Sequence, residues 1–196
     1  MGADMSLRER KKALTRAAVE DSAMQLFRER GYDLTTIDDI CEASLISRRT
    51  FFRYFTSKED VLLARFREHL TEAASFLNSR PAKEPIPDSL LALCNELTAR
   101  YFDNNPNQVN ALRIIQETPA LTLGHLQALN NFEKLLRDFV ASRTKKEPDA
   151  VQVRLPAAAA VTAFRVAMEA WLDSDGRQSL RRLARNNLEL LIGDWH

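Results

Sequence analysis

Apolar residues recur at Val19, Ala23, Leu26 and Phe27, the i, i+4, i+7, i+8 stripe of an amphipathic helix over residues 14–30. Gly31 follows as a stop, because glycine tolerates the left-handed conformation at a helix end. A short helix then opens at Thr35-Thr36-Ile37-Asp38 and ends near Ala43 or Ser44. Thr35 is placed to cap it with Asp38 reaching back, and Ile37, Ile40 and Cys41 form its buried face. Ser47 caps the next helix, Arg48 to Phe55, in which Phe51 and Phe55 share one face. Thr56-Ser57 breaks that helix and caps a longer one, whose stripe runs through Val61, Leu62, Phe66 and Leu70 toward Leu77. Two short helices joined by a tight turn and braced by longer ones make a helix-turn-helix unit.

The stretch Pro81-Ala82-Lys83-Glu84-Pro85-Ile86-Pro87 cannot be helical throughout and divides the chain into residues 1–80 and 81–196. Beyond it, helical patterns cover 88–104, 106–116, 119–144, 150–174 and 177–193, separated by Asn104-Asn105-Pro106, Thr118-Pro119, Lys146-Glu147-Pro148 and Asp175-Gly176. Pro156 falls inside the fourth of these and predicts a break or kink near Arg154. The expected fold is all-α, with about nine helices in two units.

Composition agrees: five Gly, seven Pro and 45% apolar residues suit long helices around a real core. Cys41 and Cys94 lie far apart with no CxxC spacing, so neither a disulfide framework nor a zinc site is expected. Met1 to Leu7 lacks a signal-peptide core, and no segment is expected to supply the ~20 apolar residues of a membrane span. The expected location is the cytoplasm, with no membrane partner.

The net charge of +1 hides a partition. Between Ala43 and Lys58 stand Arg48, Arg49, Arg53 and Lys58 with no acid, and upstream Arg8, Arg10, Lys11, Lys12 and Arg16 surround only Glu9. Positive charge gathered around one short helix is the footprint of duplex DNA binding, in which phosphates dominate affinity. Arg48 and Arg49 start the second short helix, the end that meets base edges, and an arginine there can pair in bidentate fashion with guanine. A merely solvated basic helix is the plain alternative; the caps, the turn and the interleaved aromatics weigh against it.

The run from Phe27 through Gly31 and Thr35-Thr36-Ile37-Asp38-Asp39-Ile40, followed by Ser47-Arg48-Arg49-Thr50-Phe51-Phe52-Arg53-Tyr54-Phe55-Thr56-Ser57-Lys58-Glu59, closely resembles the DNA-binding domain of the tetracycline-repressor (TetR) family. The likeness covers roughly residues 15–66. It implies a homeodomain-like three-helix head on an all-helical homodimer whose C-terminal domain binds a small molecule. By that likeness Thr36 and Lys58 grip phosphates, Ser47, Arg48, Arg49 and Thr50 begin the recognition helix, and Phe52, Arg53 and Tyr54 face DNA. Phe51 and Phe55 match core positions. Two residues depart from the pattern: Arg49 and Leu45 stand where glycine is usual. Leu45 implies a strained or altered turn.

In the second half, Val161, Phe164, Met168, Trp171 and Leu172 share one face, as do Leu180, Leu183, Ala184, Leu188 and Leu191. The resemblance implies that these last two helices pair with their symmetry mates, setting two reading helices on an inverted-repeat operator. It also implies an effector pocket among apolar faces carrying Tyr101, Phe102, Ile114, Ile115, Leu126, Phe132, Phe139, Phe164, Met168 and Trp171, with Cys94, Arg113, Gln116, Asn131 and Arg165 as polar candidates. Plain core packing is the competing reading of each of these. A weaker likeness of residues 119–195 to actinobacterial regulators answering acyl-coenzyme A thioesters points to a hydrophobic effector, acyl-CoA-like or aromatic.

His69 and His125 have no ligand-spaced partner and are expected to be solvated or packed, with no metal. No phosphate loop, nucleophile elbow or catalytic carboxylate pair appears at recognisable spacing, so no cofactor and no enzyme is expected. The expectation is a ligand-responsive DNA-binding regulator, most simply a repressor. A helical ligand-binding protein without DNA specificity is the alternative.

Overall fold

The computed structural model describes residues 6–103 and 106–193, without side-chain positions at 65–67, 106–107 and 192–193. The expected stripe position Phe66 and the separator Asn104-Asn105 lie outside the described residues. Among the described residues the order is α1 (Leu7–Arg30), α2 (Ile37–Ala43), α3 (Arg48–Tyr54), α4 (Lys58–Ser79), α5 (Ile86–Leu97), a single π turn (Thr98–Phe102), α6 (Pro106–Glu117), α7 (Pro119–Thr144), α8 (Val151–Asp173) and α9 (Leu180–Gly193), with no strand.

Capping chemistry sets the starts, and in two places it differs from the sequence expectation. α1 begins at Leu7, two turns before residue 14, because Ser6 and Glu9 form a reciprocal capping box that holds its polar first turns. The box of α2 is shifted by one: Thr36 is the cap and Asp39 its partner, with Asp39 N donating to Thr36 Oγ1 at 3.1 Å and Thr36 N to Asp39 Oδ2 at 2.8 Å. Thr35 is instead buried and donates its hydroxyl to the Gly31 carbonyl at 2.8 Å. Ser47 caps α3 and Ser57 caps α4, each accepting from the backbone three residues on.

Three turns carry positive φ at residues with side chains near the expected breaks, one of them Lys145 (φ 57°) at the end of α7. Leu45, between α2 and α3, sits at φ 54° and is 92% exposed. The left-handed conformation costs a non-glycine residue about 1–2 kcal/mol, and nothing packs on Leu45 to offset it. Asp175 (φ 52°) and Gly176 (φ 71°) turn the chain from α8 into α9.

Two expectations about proline need correction. α5 starts at Ile86, not 88, since Pro87 falls in its first turn where the missing N–H is harmless. Pro156 lies inside α8, yet the helix runs unbroken from Val151 to Asp173. The bond a proline at this position cannot donate is the one to the carbonyl of Gln152, itself an exposed residue. α8 is also long and apolar enough to cross a membrane by length and composition, contrary to the expectation that no segment would be. Its Ala157, Ala160, Ala163, Ala167 and Trp171 are buried against neighbouring helices, as in the core helix of a globular domain.

The molecule has two hydrophobic cores, and the Pro-rich stretch does not cleanly divide them. The first gathers Phe27, Ile40, Phe51, Phe55, Val61 and Leu62 from α1–α4, but also Ile115 and Leu121 from the α6–α7 corner. The second gathers Leu93, Leu136, Val153, Met168, Trp171 and Leu188 from α5–α9, with Ala73 and Leu77 of α4. Helix α4 therefore belongs to both.

Candidate nucleic-acid interface and effector cavity

α3 packs through Phe51 and Phe55, which are fully buried, and turns its other faces outward. The side-chain oxygen of Ser47 accepts from Thr50 N at 3.1 Å and lies 3.0 Å from the Thr50 hydroxyl. Both are thus tied to the start of the helix. Arg48, Arg49 and Arg53 are exposed, and Phe52 is 49% exposed although its ring edge meets Phe51 at 5.5 Å. No acid lies in the first turn of α3, so its positive end and two arginines add.

The arginines are not equivalent. Arg48 Nη1 donates to both carboxylate oxygens of Asp38 at 2.8 Å, across the turn from α2. Arg53 donates to Tyr54 Oη at 3.0 Å and its guanidinium lies 4.9 Å above the Tyr54 ring. Arg49 has no hydrogen-bond or ion-pair partner among the described residues.

The two expected phosphate grips are both engaged within the protein. The Thr36 hydroxyl donates to Asp39 Oδ2 at 2.6 Å, and these bonds to Thr36, helped by Arg30, hold the Asp39 carboxyl below the usual carboxylate range. Lys58 Nζ donates to the carbonyls of Tyr32 at 2.8 Å and Thr35 at 3.1 Å and sits 4.3 Å over the Tyr32 ring. It thereby fastens the α1–α2 loop to α4. In the upstream cluster Arg16 pairs with Glu20 and Glu68, whereas Arg8, Lys11 and Lys12 are exposed.

A small apolar cavity of about 60 Å³ lies between α4, the π turn, α7 and α8. Five of the expected residues meet around it: Tyr101, Phe102, Phe132, Phe164 and Met168. The π turn delivers Tyr101 and Phe102 together, with Phe102 set edge-on to Phe164 (6.1 Å) and Trp171 (5.7 Å). Trp171 itself is buried in the core and lines a separate, open polar cleft of about 760 Å³ beside the α8–α9 turn.

The expected polar residues do not line this cavity. Cys94 is packed in the core, where burial pushes its thiol up to about 12. Arg113 lines the open cleft and donates to Asp175 at 2.6 Å. Ile114 packs, like Ile115, against the first core. Gln116 and Asn131 are exposed, and Arg165 pairs with Glu169 along α8. Phe139 is a core residue and Leu126 is half exposed.

The polar lining is the expected Tyr101 together with two histidines that were expected only to be solvated or packed, His69 and His125. His69 stacks on Tyr101 at 3.7 Å, and burial pushes His125 below the usual histidine range. The Tyr101 hydroxyl is buried without a hydrogen-bond partner among the described residues. A signal for the histidines exists in the sequence. His69 stands seven after Leu62 and four before Ala73, and His125 four after Leu121, so each interrupts an apolar stripe. Among the described residues no group of three or more His, Cys, Asp or Glu could hold a metal ion.

Comparison with known proteins agrees with this arrangement at both ends. The profile for bacterial regulatory proteins of the tetR family matches residues 21–64, and that of the MftR C-terminal domain matches 84–195. The chain is 31% identical over 143 residues to the transcriptional regulator TcmR of Streptomyces glaucescens, covering 70% of this chain and 63% of that one. It is 28% identical over 137 residues to a Mycobacterium tuberculosis protein provisionally named as the mycofactocin biosynthesis regulator MftR, covering 69% and 68%. The chain thus spans just under two thirds of TcmR. Among solved structures, the Thermus thermophilus repressor FadR in complex with lauroyl-CoA shares the fold, with a TM-score of 0.61 at 22% identity over 90% of this chain and 93% of that one. With its helix-turn-helix head and its helical C-terminal domain both matched, the chain belongs to the TetR family of bacterial transcriptional regulators.

Proposed function

We propose that the protein is a ligand-responsive repressor: a cytoplasmic homodimer that holds an inverted-repeat operator through α3 and releases it when a small hydrophobic effector enters the cavity. The observation that carries this reading is the exposure of Arg48, Arg49, Phe52 and Arg53 on a helix whose packing face is spent on Phe51 and Phe55. Apart from the contact of Phe52 with Phe51 these side chains lie outside the core, and they suit base edges and phosphates. The profile match over residues 21–64 supports DNA binding over a helical carrier without it, and the same family membership supports a regulator over an enzyme.

Pairing is supported by apolar residues left on the outer faces of the last two helices: Val151, Leu155 and Val166 on α8 and Leu190 on α9. An isologous contact there would set two α3 helices about one DNA turn, ~34 Å, apart. The effector reading rests on the cavity's lining, which is apolar apart from His69, Tyr101 and His125 and holds no carboxylate, lysine or arginine. At about 60 Å³ it is far below the roughly 300–1,000 Å³ of an occupied ligand site. Binding must therefore part the surrounding helices. Two of these, α4 and α7, also reach into the first core through Val61, Leu62 and Leu121. Expansion of the cavity is thus linked to the seating of α3, which gives a ligand different affinities for two arrangements. The lauroyl-CoA bound in the Thermus thermophilus repressor makes long-chain acyl thioesters the first effectors to try.

The test is fluorescence anisotropy of a labelled duplex carrying the inverted repeat nearest the protein's own gene, titrated with lauroyl-CoA and with a neutral planar aromatic. Tight binding reversed by one of them is the expected result. Binding equal to that of a scrambled duplex would overturn the operator reading, and binding indifferent to every apolar ligand would overturn the effector reading.

A further inference from the structure

We infer that Asp38 is a positioning residue for base reading, holding Arg48 so that its remaining N–H groups face one guanine in the major groove. The inference rests on the DNA-binding reading above.

Asp38 stands in the first turn of α2 and Arg48 is the first residue of α3. A single nitrogen of Arg48, Nη1, donates to both Asp38 oxygens at 2.8 Å. Nη2 and Nε make no hydrogen bond among the described residues, so a bidentate edge stays available. On its other side the guanidinium lies 5.9 Å from the Phe52 ring, a second restraint on the same group. The Arg48 and Asp38 side chains are 58% and 65% exposed, so the pair lies in solvent on the reading surface and not in a core.

An exposed ion pair contributes little to folding, and the favourable place of an acid in the first turn of α2 needs no arginine partner, so stability does not explain the pairing with Arg48. Its position carries a penalty for general DNA binding, because it cancels one positive charge where phosphates approach. What it supplies is order. A free arginine must give up rotamer freedom when it meets a base, whereas Arg48 is already held before DNA arrives. Arg49, beside it, has no such partner among the described residues and is left as an exposed cation suited to phosphate. Asp38 thereby separates two adjacent arginines into a reader and a grip.

Full-length wild type, Asp38→Asn, Asp38→Ala, Arg48→Ala and the double variant Asp38→Asn/Arg48→Ala would each be used to select duplexes from a pool with a randomised core. Wild type is expected to enrich an inverted repeat with a guanine fixed at one half-site position, and Arg48→Ala to lose that guanine. Both Asp38 variants should weaken the preference at the same position by about three- to tenfold, the cost of ordering one long side chain, while keeping the guanine as the preferred base. They should also bind a scrambled duplex several-fold more tightly. In the Arg48→Ala background, Asp38→Asn should change the selected sequence no further. A merely structural role for Asp38 would lower affinity evenly across sequences. An undiminished guanine preference in Asp38→Asn, or a change at a position that Arg48→Ala leaves alone, would overturn the inference. Failure of wild type to enrich any motif would overturn the DNA-binding reading itself, a result distinct from the first two.

Discussion

Gly124 of α7 lies directly against Leu63 of α4: a methyl group added at Gly124 would fall on the Leu63 side chain, well inside van der Waals contact. This is the place where a cavity-lining helix rests on the helix that leads to the DNA-reading head.

The overlap is with the end of the flexible Leu63 side chain, so a single methyl needs only a shift of that side chain, whereas the bulk of Gly124→Phe should push α7 from α4. Overpacking of this kind costs about 1–3 kcal/mol. Urea unfolding should show the loss, and the variant should bind operator more weakly than wild type although no DNA-facing residue has changed. Unaltered operator affinity would show that the α4–α7 spacing does not govern the head.

Leu45→Gly should stabilise the protein. The residue is at φ 54° and almost wholly exposed, so glycine relieves the left-handed strain while little buried surface is lost. Glycine's greater freedom in the unfolded chain takes back part of the gain, leaving about 0.5–1 kcal/mol. The urea midpoint should rise with an unchanged m-value.

Much of the head was readable from the sequence because its determinants are local. The Ser47 cap, the buried Phe51 and Phe55 pair and the strain at Leu45 each depend on spacing within one or two turns. The cap of α2 was misplaced by one because Thr35 and Thr36 are both competent caps, and only the burial of Thr35 against Gly31 decides between them. Cavity residues were harder. Arg113 and Cys94 suit a polar lining by composition, but the approach of α4, α7 and α8 brings His69 and His125 beside the expected Tyr101 instead. No periodicity within one helix reports a neighbour from another. For the same reason no local pattern reports that Ile115 and Leu121 of the α6–α7 corner join the first core from far along the chain.

His125 gives the stability a pH dependence. Burial lowers its folded-state pKa below the unfolded value near 6.5, so the unfolded chain binds the proton more readily. Its contribution is fully present above about pH 6.5 and is lost as pH falls from there through the lowered folded value. Urea midpoints at pH 7.5 and 5.5 should differ in wild type, and His125→Gln should shrink that difference. An equal difference in the variant would assign the effect to other groups.

Lys11 and Lys12 lie exposed on the polar first turns of α1. If each meets a phosphate, Lys11→Gln/Lys12→Gln should reduce the slope of log affinity against log salt by about 1.8, near 0.9 for each contact. The loss should be the same for operator and scrambled duplex. A slope equal to that of wild type would place these lysines away from DNA.

The most direct test of the whole account is the operator affinity of Arg48→Ala/Arg49→Ala, read by mobility shift beside a sedimentation measurement of the dimer. The account predicts a fall of about a hundredfold or more, to the level of a scrambled duplex, as expected from losing a bidentate reader and a neighbouring phosphate grip, with the dimer intact. An operator affinity equal to that of wild type, in a folded dimer, would contradict it.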